Sequence, residues 1–348
     1  MSHPPTAREY SFPKIGSYNH LTLQEKKVEQ PRANEVLVKV HAVSLQFRDL
    51  AIAKGVYPIA PAGGLVPCSD MAGEVIVVGE DVKDWKTGDR VCANFSSDHI
   101  HGDTDPEIIK TSMGGQSPGV LTEYRTFPAH SLVSIPEHLS YEEASTLPCA
   151  ALTAYAALNG PVAVKAGDTV LVLGTGGVSI FALQLAIAAG ATVIATSSSD
   201  EKLKIASKLG AKHVVNYKIT PDWDEEVLKL TNGRGVDHVI EVGGQGTLPK
   251  SMNAVRVAGS VHIIGHVAQN DGVHDIIGRS IGKVITLRGI YIGSVAQFKA
   301  MNRLIVANPE KTKPVIDKVF PFEEASAAYA HLESQAHVGK VVIKVSKD

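Results

Sequence analysis

No charged side chain occurs between Thr169 and Ser199 (TVLVLGTGGVSIFALQLAIAAGATVIATSSS), and the way this run is punctuated decides what the chain can fold into. About 20 consecutive apolar residues are long enough to cross a membrane. Here Gly174, Gly176 and Gly177 follow a β-branched run and Gly190 follows a helix-forming one, so the stretch divides into strand, turn, helix, turn and strand. Each piece is too short to span a bilayer, where the backbone of the turns would also go unpaired. The run is therefore expected to be the buried start of a parallel sheet rather than a membrane span.

The same alternation continues downstream. TVIAT, HVV, VDHVIEVG and SVHIIG are short apolar strands, and helical patterns such as SDEKLKIASKLG and WDEEVLKLTNG lie between them. Strands alternating with helices make βαβ units and hence a parallel sheet covered on both faces. Upstream, EVLVKVHAVSL, AGEVIVVGEDV and GDRVCA are rich in Val or bounded by Gly and Asp, which predicts antiparallel strands. A chain of 348 residues exceeds one core, so two domains are expected. The polar segment 94–119, with its Gly and Pro, is long for a plain connection and reads as a lobe beside an active site. The helical pattern from Tyr141 carries Pro148 near its middle, where a break or kink is expected.

The sharpest local motif is LVLGTGGVS, a strand feeding a glycine turn that opens a helix. Gly174 permits the tight turn and Gly176 lets backbone approach a pyrophosphate. With Thr175, Gly177 and Val178 they would place the phosphates at a helix amino terminus. The third glycine of the usual pattern is replaced by Ser179. At the end of the next strand, where an Asp or Glu would hold the ribose hydroxyls of NAD, the chain reads ATSSSDEK. Ser197 and Ser198 can donate to a ribose phosphate and Lys202 can offset its charge, which predicts NADPH. The alternatives are that these serines only cap the following helix, and that Asp200 bends back to the ribose.

A formal charge of −2 leaves no basic footprint for nucleic acid. Cys68, Cys92 and Cys149 are too few and scattered for a disulfide framework. With no signal peptide or lipidation motif recognised at the termini, a cytoplasmic protein is expected.

Beyond these motifs, VSLQFRDL, VPCSDMAGEV, WKTGDRV, TLPCAALTAYAAL, GRGVDHVIEVGG and HVGKVVIKV fall in the order and spacing of one family. The chain resembles a medium-chain dehydrogenase/reductase, in the branch of zinc-type alcohol dehydrogenase-like proteins close to the quinone oxidoreductases. The resemblance implies an α/β fold with a GroES-like, mainly antiparallel β catalytic domain and a Rossmann domain. Expected boundaries are 1–138 for the first part of the catalytic domain, 139–305 for the Rossmann domain and 306–348 for the return segment. It also implies a cleft between the domains and a homodimer. By the same resemblance Gly243 and Gly244 approach the cofactor, Ile264 and Gly265 line the nicotinamide, and Tyr217 lies along the adenosine end, its alternative being a surface tyrosine.

In the classical alcohol dehydrogenases of that family, the zinc ligands are a Cys, a His and a Cys at places that here hold Gln46, Ser69 and Cys149. An amide and a hydroxyl are poor substitutes for thiolate and imidazole. Asp70 or a histidine of the His99–His101 loop would have to complete a site with Cys149, so no metal is expected, and Cys149 reads as a small residue at a helix kink. Hydride transfer without a metal needs hydrogen-bond donors for the oxygen that becomes negative. Gln46 can supply an amide N–H or merely bond a loop. Tyr57, in KGVYP, resembles the tyrosine beside the nicotinamide of related enoyl reductases, or packs in the cleft wall. His41 and Asp49 receive no catalytic role. The expected activity is NADPH-dependent reduction of a small carbonyl compound, quinone or activated alkene. A zinc alcohol dehydrogenase with unusual ligands and a nucleotide-binding partner protein without turnover are the alternatives.

Overall fold

The computed structural model describes residues 3–58, 63–265 and 275–346. The chain forms two compact units: Met1–Leu152, Gly293–Ala307 and Lys313–Asp348 make the first, and Thr153–Ile292 with Asn308–Thr312 the second.

In the first unit, β1 (Thr6–Ser11) and β2 (Thr22–Lys27) pair as a hairpin. Then come β3 (Glu35–Ser44), α1 (Phe47–Ala53), β4 (Asp70–Val78), β5 (Arg90–Ala93), α2 (Pro106–Lys110), β6 (Tyr124–Pro128), β7 (Leu132–Ser134) and α3 (Tyr141–Ala144). β3 alternates as its sequence requires: Val36, Val38 and Val40 enter the main core with Met71, Val75 and Phe127, while Leu37 faces a small cluster with Ala7 and Val28.

The second unit runs α4 (Leu152–Leu158, whose first residue belongs to the first unit), β8 (Thr169–Leu173), α5 (Gly177–Ala188), β9 (Thr192–Ser197), α6 (Asp200–Lys208), β10 (His213–Asn216) and α7 (Trp223–Leu230). It continues through β11 (Val236–Glu241), α8 (Leu248–Ala254), β12 (Val255–Ile263), α9 (Ile276–Lys283) and β13 (Thr286–Gly289). All its strands are parallel, in the order β10-β9-β8-β11-β12-β13 of a Rossmann sheet, around Leu171, Ile194, Val239 and Val261.

The chain then returns to the first unit through α10 (Val295–Ala307), β14 (Ile316–Pro321), α11 (Ala325–Glu333) and β15 (Lys340–Lys344). β15 pairs antiparallel with β3, completing a seven-stranded sheet in which β14–β15 is the parallel pair.

Residues 139–152 and 293–305, placed by the sequence reading with the parallel sheet, group with the first unit. Side-chain packing accounts for the first of these. Tyr141 stacks on His41 at 4.1 Å and takes the Arg90 guanidinium over its ring at 4.6 Å. A hydrogen bond from Asn302 Nδ2 to the Ser134 carbonyl (2.9 Å) does the same for α10.

Within the parallel sheet His238 of β11 and His262 of β12 stack side by side, their ring nitrogens 3.2 Å apart, and His238 Nε2 lies 3.5 Å from Asp168. Burial disfavours the charged form of both rings: it lowers the pKa of His238 and takes that of His262 down to about 3. The unfolded chain binds protons on these rings near the ordinary value of 6.5 and the native chain binds them only at lower pH. Their contribution to stability is thus complete above 6.5 and is lost as pH falls towards the folded values. Urea midpoints measured from pH 7.5 down to 4.5 should therefore fall more steeply for the wild type than for His262→Gln; parallel slopes would rule this out.

Candidate active site

β8 ends at Leu173, and Gly174 turns the chain with φ +73° into Thr175 and Gly176, from which α5 starts at Gly177 and Val178. A Cβ added at Gly176 would meet no atom within 4 Å, so no protein neighbour demands glycine there. That open backbone at the start of α5 is the cradle a pyrophosphate requires. Ser179 departs from the glycine pattern without loss, because its Oγ donates to the Leu173 carbonyl at 2.6 Å.

Two further strand ends are bound together by Glu241, which the sequence reading overlooked. Its Oε1 accepts from the Gly243 and Gly244 amides (2.7 and 2.9 Å) and the Thr247 hydroxyl (2.6 Å), and Oε2 accepts from Ser251. Its own carbonyl accepts from Ile264 (2.9 Å) and Gly265 (3.3 Å). The signal was a carboxylate closing a buried apolar strand just before paired glycines.

At the β9 tip Ser197 is only 3% exposed, whereas Ser198 is half-buried. Ser199 caps α6, its Oγ accepting from the Lys202 amide. Asp200 accepts from Asn216 Nδ2 at 2.7 Å and is tied down there. Tyr217 donates its amide to the Ser197 carbonyl (3.0 Å) and keeps a ring that is 40% exposed.

In the first unit a buried polar network joins three distant segments. Asp70, fully buried at the start of β4, accepts from Gln46 Nε2 (2.5 Å), Ser69 Oγ (2.5 Å) and the Cys149 amide (3.0 Å). Cys149 sits in a π-helical turn, Leu147–Ala151, the break expected at Pro148. The Lys340 ammonium, buried on β15, donates to the Leu45 carbonyl and lies close enough to act on Asp70. Burial is the largest influence on each charge: it lifts Asp70 to about 6 and Asp49 to about 7, and lowers Lys340. Asp49 Oδ2 accepts the Gln46 amide at 2.8 Å.

Tyr57 is half-buried, and among the described residues its hydroxyl has no hydrogen-bond partner. The Arg48 guanidinium lies 5.4 Å from the Tyr57 ring centroid and 4.7 Å from that of Phe95. Arg48 stood in the sequence within LQFRD but received no role; what brings it to Tyr57 is the 94–119 segment, which supplies Phe95 and Met113 around it.

Residues 32–137 match the family model described as alcohol dehydrogenase GroES-like domain, and 177–307 match that of zinc-binding dehydrogenase. A zinc-type alcohol dehydrogenase-like protein of Schizosaccharomyces pombe is 47% identical over 338 residues, covering 95% of this chain and 97% of its own. The chain belongs to the medium-chain dehydrogenase/reductase superfamily. Within that superfamily it falls in the zinc-type alcohol dehydrogenase-like and quinone oxidoreductase branch. The quinone oxidoreductase of Sus scrofa is 29% identical over 95% of each chain. A putative alcohol dehydrogenase from Sinorhizobium meliloti superposes with a TM-score of 0.91 at 38% identity, covering 99% of this chain and 100% of its own. As a medium-chain dehydrogenase/reductase, the chain is an NAD(P)-dependent oxidoreductase.

The family model's description implies zinc, and the residues at that position do not fit it. Gln46 turns its amide nitrogen to Asp70, Asp70 is engaged by three donors, and burial pushes the Cys149 thiol up, away from thiolate. Among the described residues no group of three or more His, Cys, Asp and Glu side chains is placed to hold a metal ion. No helix among them is long and apolar enough to cross a membrane.

Proposed function

We propose that this medium-chain dehydrogenase/reductase uses NADPH to reduce a small carbonyl, quinone or activated-alkene substrate without catalytic zinc. The observation that carries the reading is what stands at the metal position: Gln46, Ser69 and the Cys149 amide all donate to Asp70, while the Tyr57 hydroxyl has no hydrogen-bond partner among the described residues. Bound NADPH would supply the hydride. Gly174, Thr175, Gly176, Gly177 and Val178 would hold its pyrophosphate, with Gly243, Gly244, Ile264 and Gly265 presenting backbone towards the nicotinamide. Ser197, Ser198 and Lys202 would take the ribose phosphate and Tyr217 would flank the adenosine. Tyr57 donates the proton to the substrate atom made electron-rich, and the second amide proton of Gln46 is a further donor for a developing oxyanion.

The test is a panel of quinones, enones, aldehydes and ketones with each nucleotide. NADPH should bind at least about tenfold tighter than NADH, since one charge-assisted contact contributes roughly 1.5–3 kcal/mol. Ser198→Asp, at the more accessible serine, should erase that preference by like-charge repulsion while leaving NADH binding unchanged. Equal affinities in the wild type would refute the NADPH assignment.

We further propose a homodimer in the cytoplasm. β13 is the edge of the parallel sheet, and Ile277, Ile281 and Val284 beside it are strongly exposed, which favours pairing of two copies across that edge. The three cysteines are buried and unpaired, which suits a reducing compartment.

A further inference from the structure

Arg48 has the charge but not the partners of an ordinary structural arginine. Among the described residues it forms no ion pair, and of its five N–H donors only one is engaged, Nη1 to the Met113 carbonyl at 2.8 Å. Nε is buried with no hydrogen-bond partner. Nη2 lies over Gly115, so close that a Cβ there would come within 2.1 Å of it. The guanidinium carbon lies over the Tyr57 and Phe95 rings, 5.4 and 4.7 Å from their centroids. Asp49 acts on it electrostatically but directs its Oδ2 to the Gln46 amide.

A half-buried cation is stabilised when an anion pairs with it, and the planar fork of a guanidinium matches a carboxylate through two parallel bonds. A neutral carbonyl would leave the guanidinium without an ion pair at contact distance among the described residues. We propose that Arg48 is the anchor for a carboxylate on the substrate, which makes the substrate class short oxo or unsaturated acids. This rests on the reductase reading, in which Tyr57 serves the reacting atom. The Arg48 guanidinium lies over the Tyr57 ring, so the anchor and the proposed proton donor are neighbours and the chain between carboxylate and reacting carbonyl is short.

β-Acetylacrylate is a short acid of this class, and its methyl ester presents the same electrophile without the charge. Wild-type kcat/KM with NADPH should favour the acid over the ester by about tenfold or more, mostly in KM. Arg48→Met should abolish the preference and Arg48→Lys should restore part of it, a pattern that mere packing would not produce. Calorimetric titration of the NADP-saturated protein with levulinate, the saturated product, gives a readout independent of turnover. Binding should be about tenfold weaker in Arg48→Met. Turnover of neither compound with levulinate binding intact would overturn the reductase reading and leave the anchor standing. No preference for the acid, or equal levulinate binding by wild type and Arg48→Met, would overturn the anchor.

Discussion

Asp70→Ala is expected to lower the unfolding free energy of the first unit by about 3–5 kcal/mol, the range found when one member of a buried charged network is removed. Asp70 is fully buried, and its two oxygens satisfy Gln46 Nε2, Ser69 Oγ and the Cys149 amide. Alanine would leave these donors without an acceptor, each costing about 1–3 kcal/mol if nothing relaxes. It would also take from the buried Lys340 ammonium the anion that most favours its charged form. Asp70→Asn, which keeps one acceptor oxygen but turns an amide N–H towards the remaining donors, should recover only part of the loss. Urea denaturation followed by the near-ultraviolet signal would measure it. A change under about 1 kcal/mol would show that water or rearrangement replaces the network.

Tyr57→Phe should reduce kcat by about tenfold or more on a substrate the wild type reduces, with NADPH affinity unchanged. The substitution removes a single oxygen. Phenylalanine keeps the ring that lies 5.4 Å from the Arg48 guanidinium, so packing and the position of Arg48 should persist. What disappears is a hydroxyl that no described residue engages. Gln46, Ser69 and the Cys149 amide all donate to Asp70, which leaves that hydroxyl as the proposed proton donor. Thermal unfolding within a degree or two of the wild type would confirm that chemistry rather than folding is altered. An unchanged kcat would return Tyr57 to a packing role.

Local rules made much of this molecule readable. The uncharged run from Thr169 resolved into β8, α5 and β9 because glycine punctuation and apolar periodicity act over a few residues, without help from the rest of the chain. The same holds for the antiparallel strands β3, β4 and β5 and for the break at Pro148, where a missing amide N–H disrupts the helix wherever it is placed. The absence of a His at position 69 was likewise plain from sequence order.

What tertiary structure alone decided are the partnerships between distant residues. Asp70 meets Gln46 across 24 positions and Cys149 across 79, and Lys340 reaches Leu45 across 295. No periodicity links such pairs; they meet because β15 returns to pair with β3 and the π-helical turn directs an amide at Asp70. The unit boundaries moved for the same reason, since Tyr141 is held by His41 and Arg90 rather than by its neighbours in sequence. Arg48 was one letter in LQFRD until Phe95, Met113 and Tyr57 surrounded it. A side chain's chemistry depends on which groups share its desolvated space, and that is set by the packing of the whole unit.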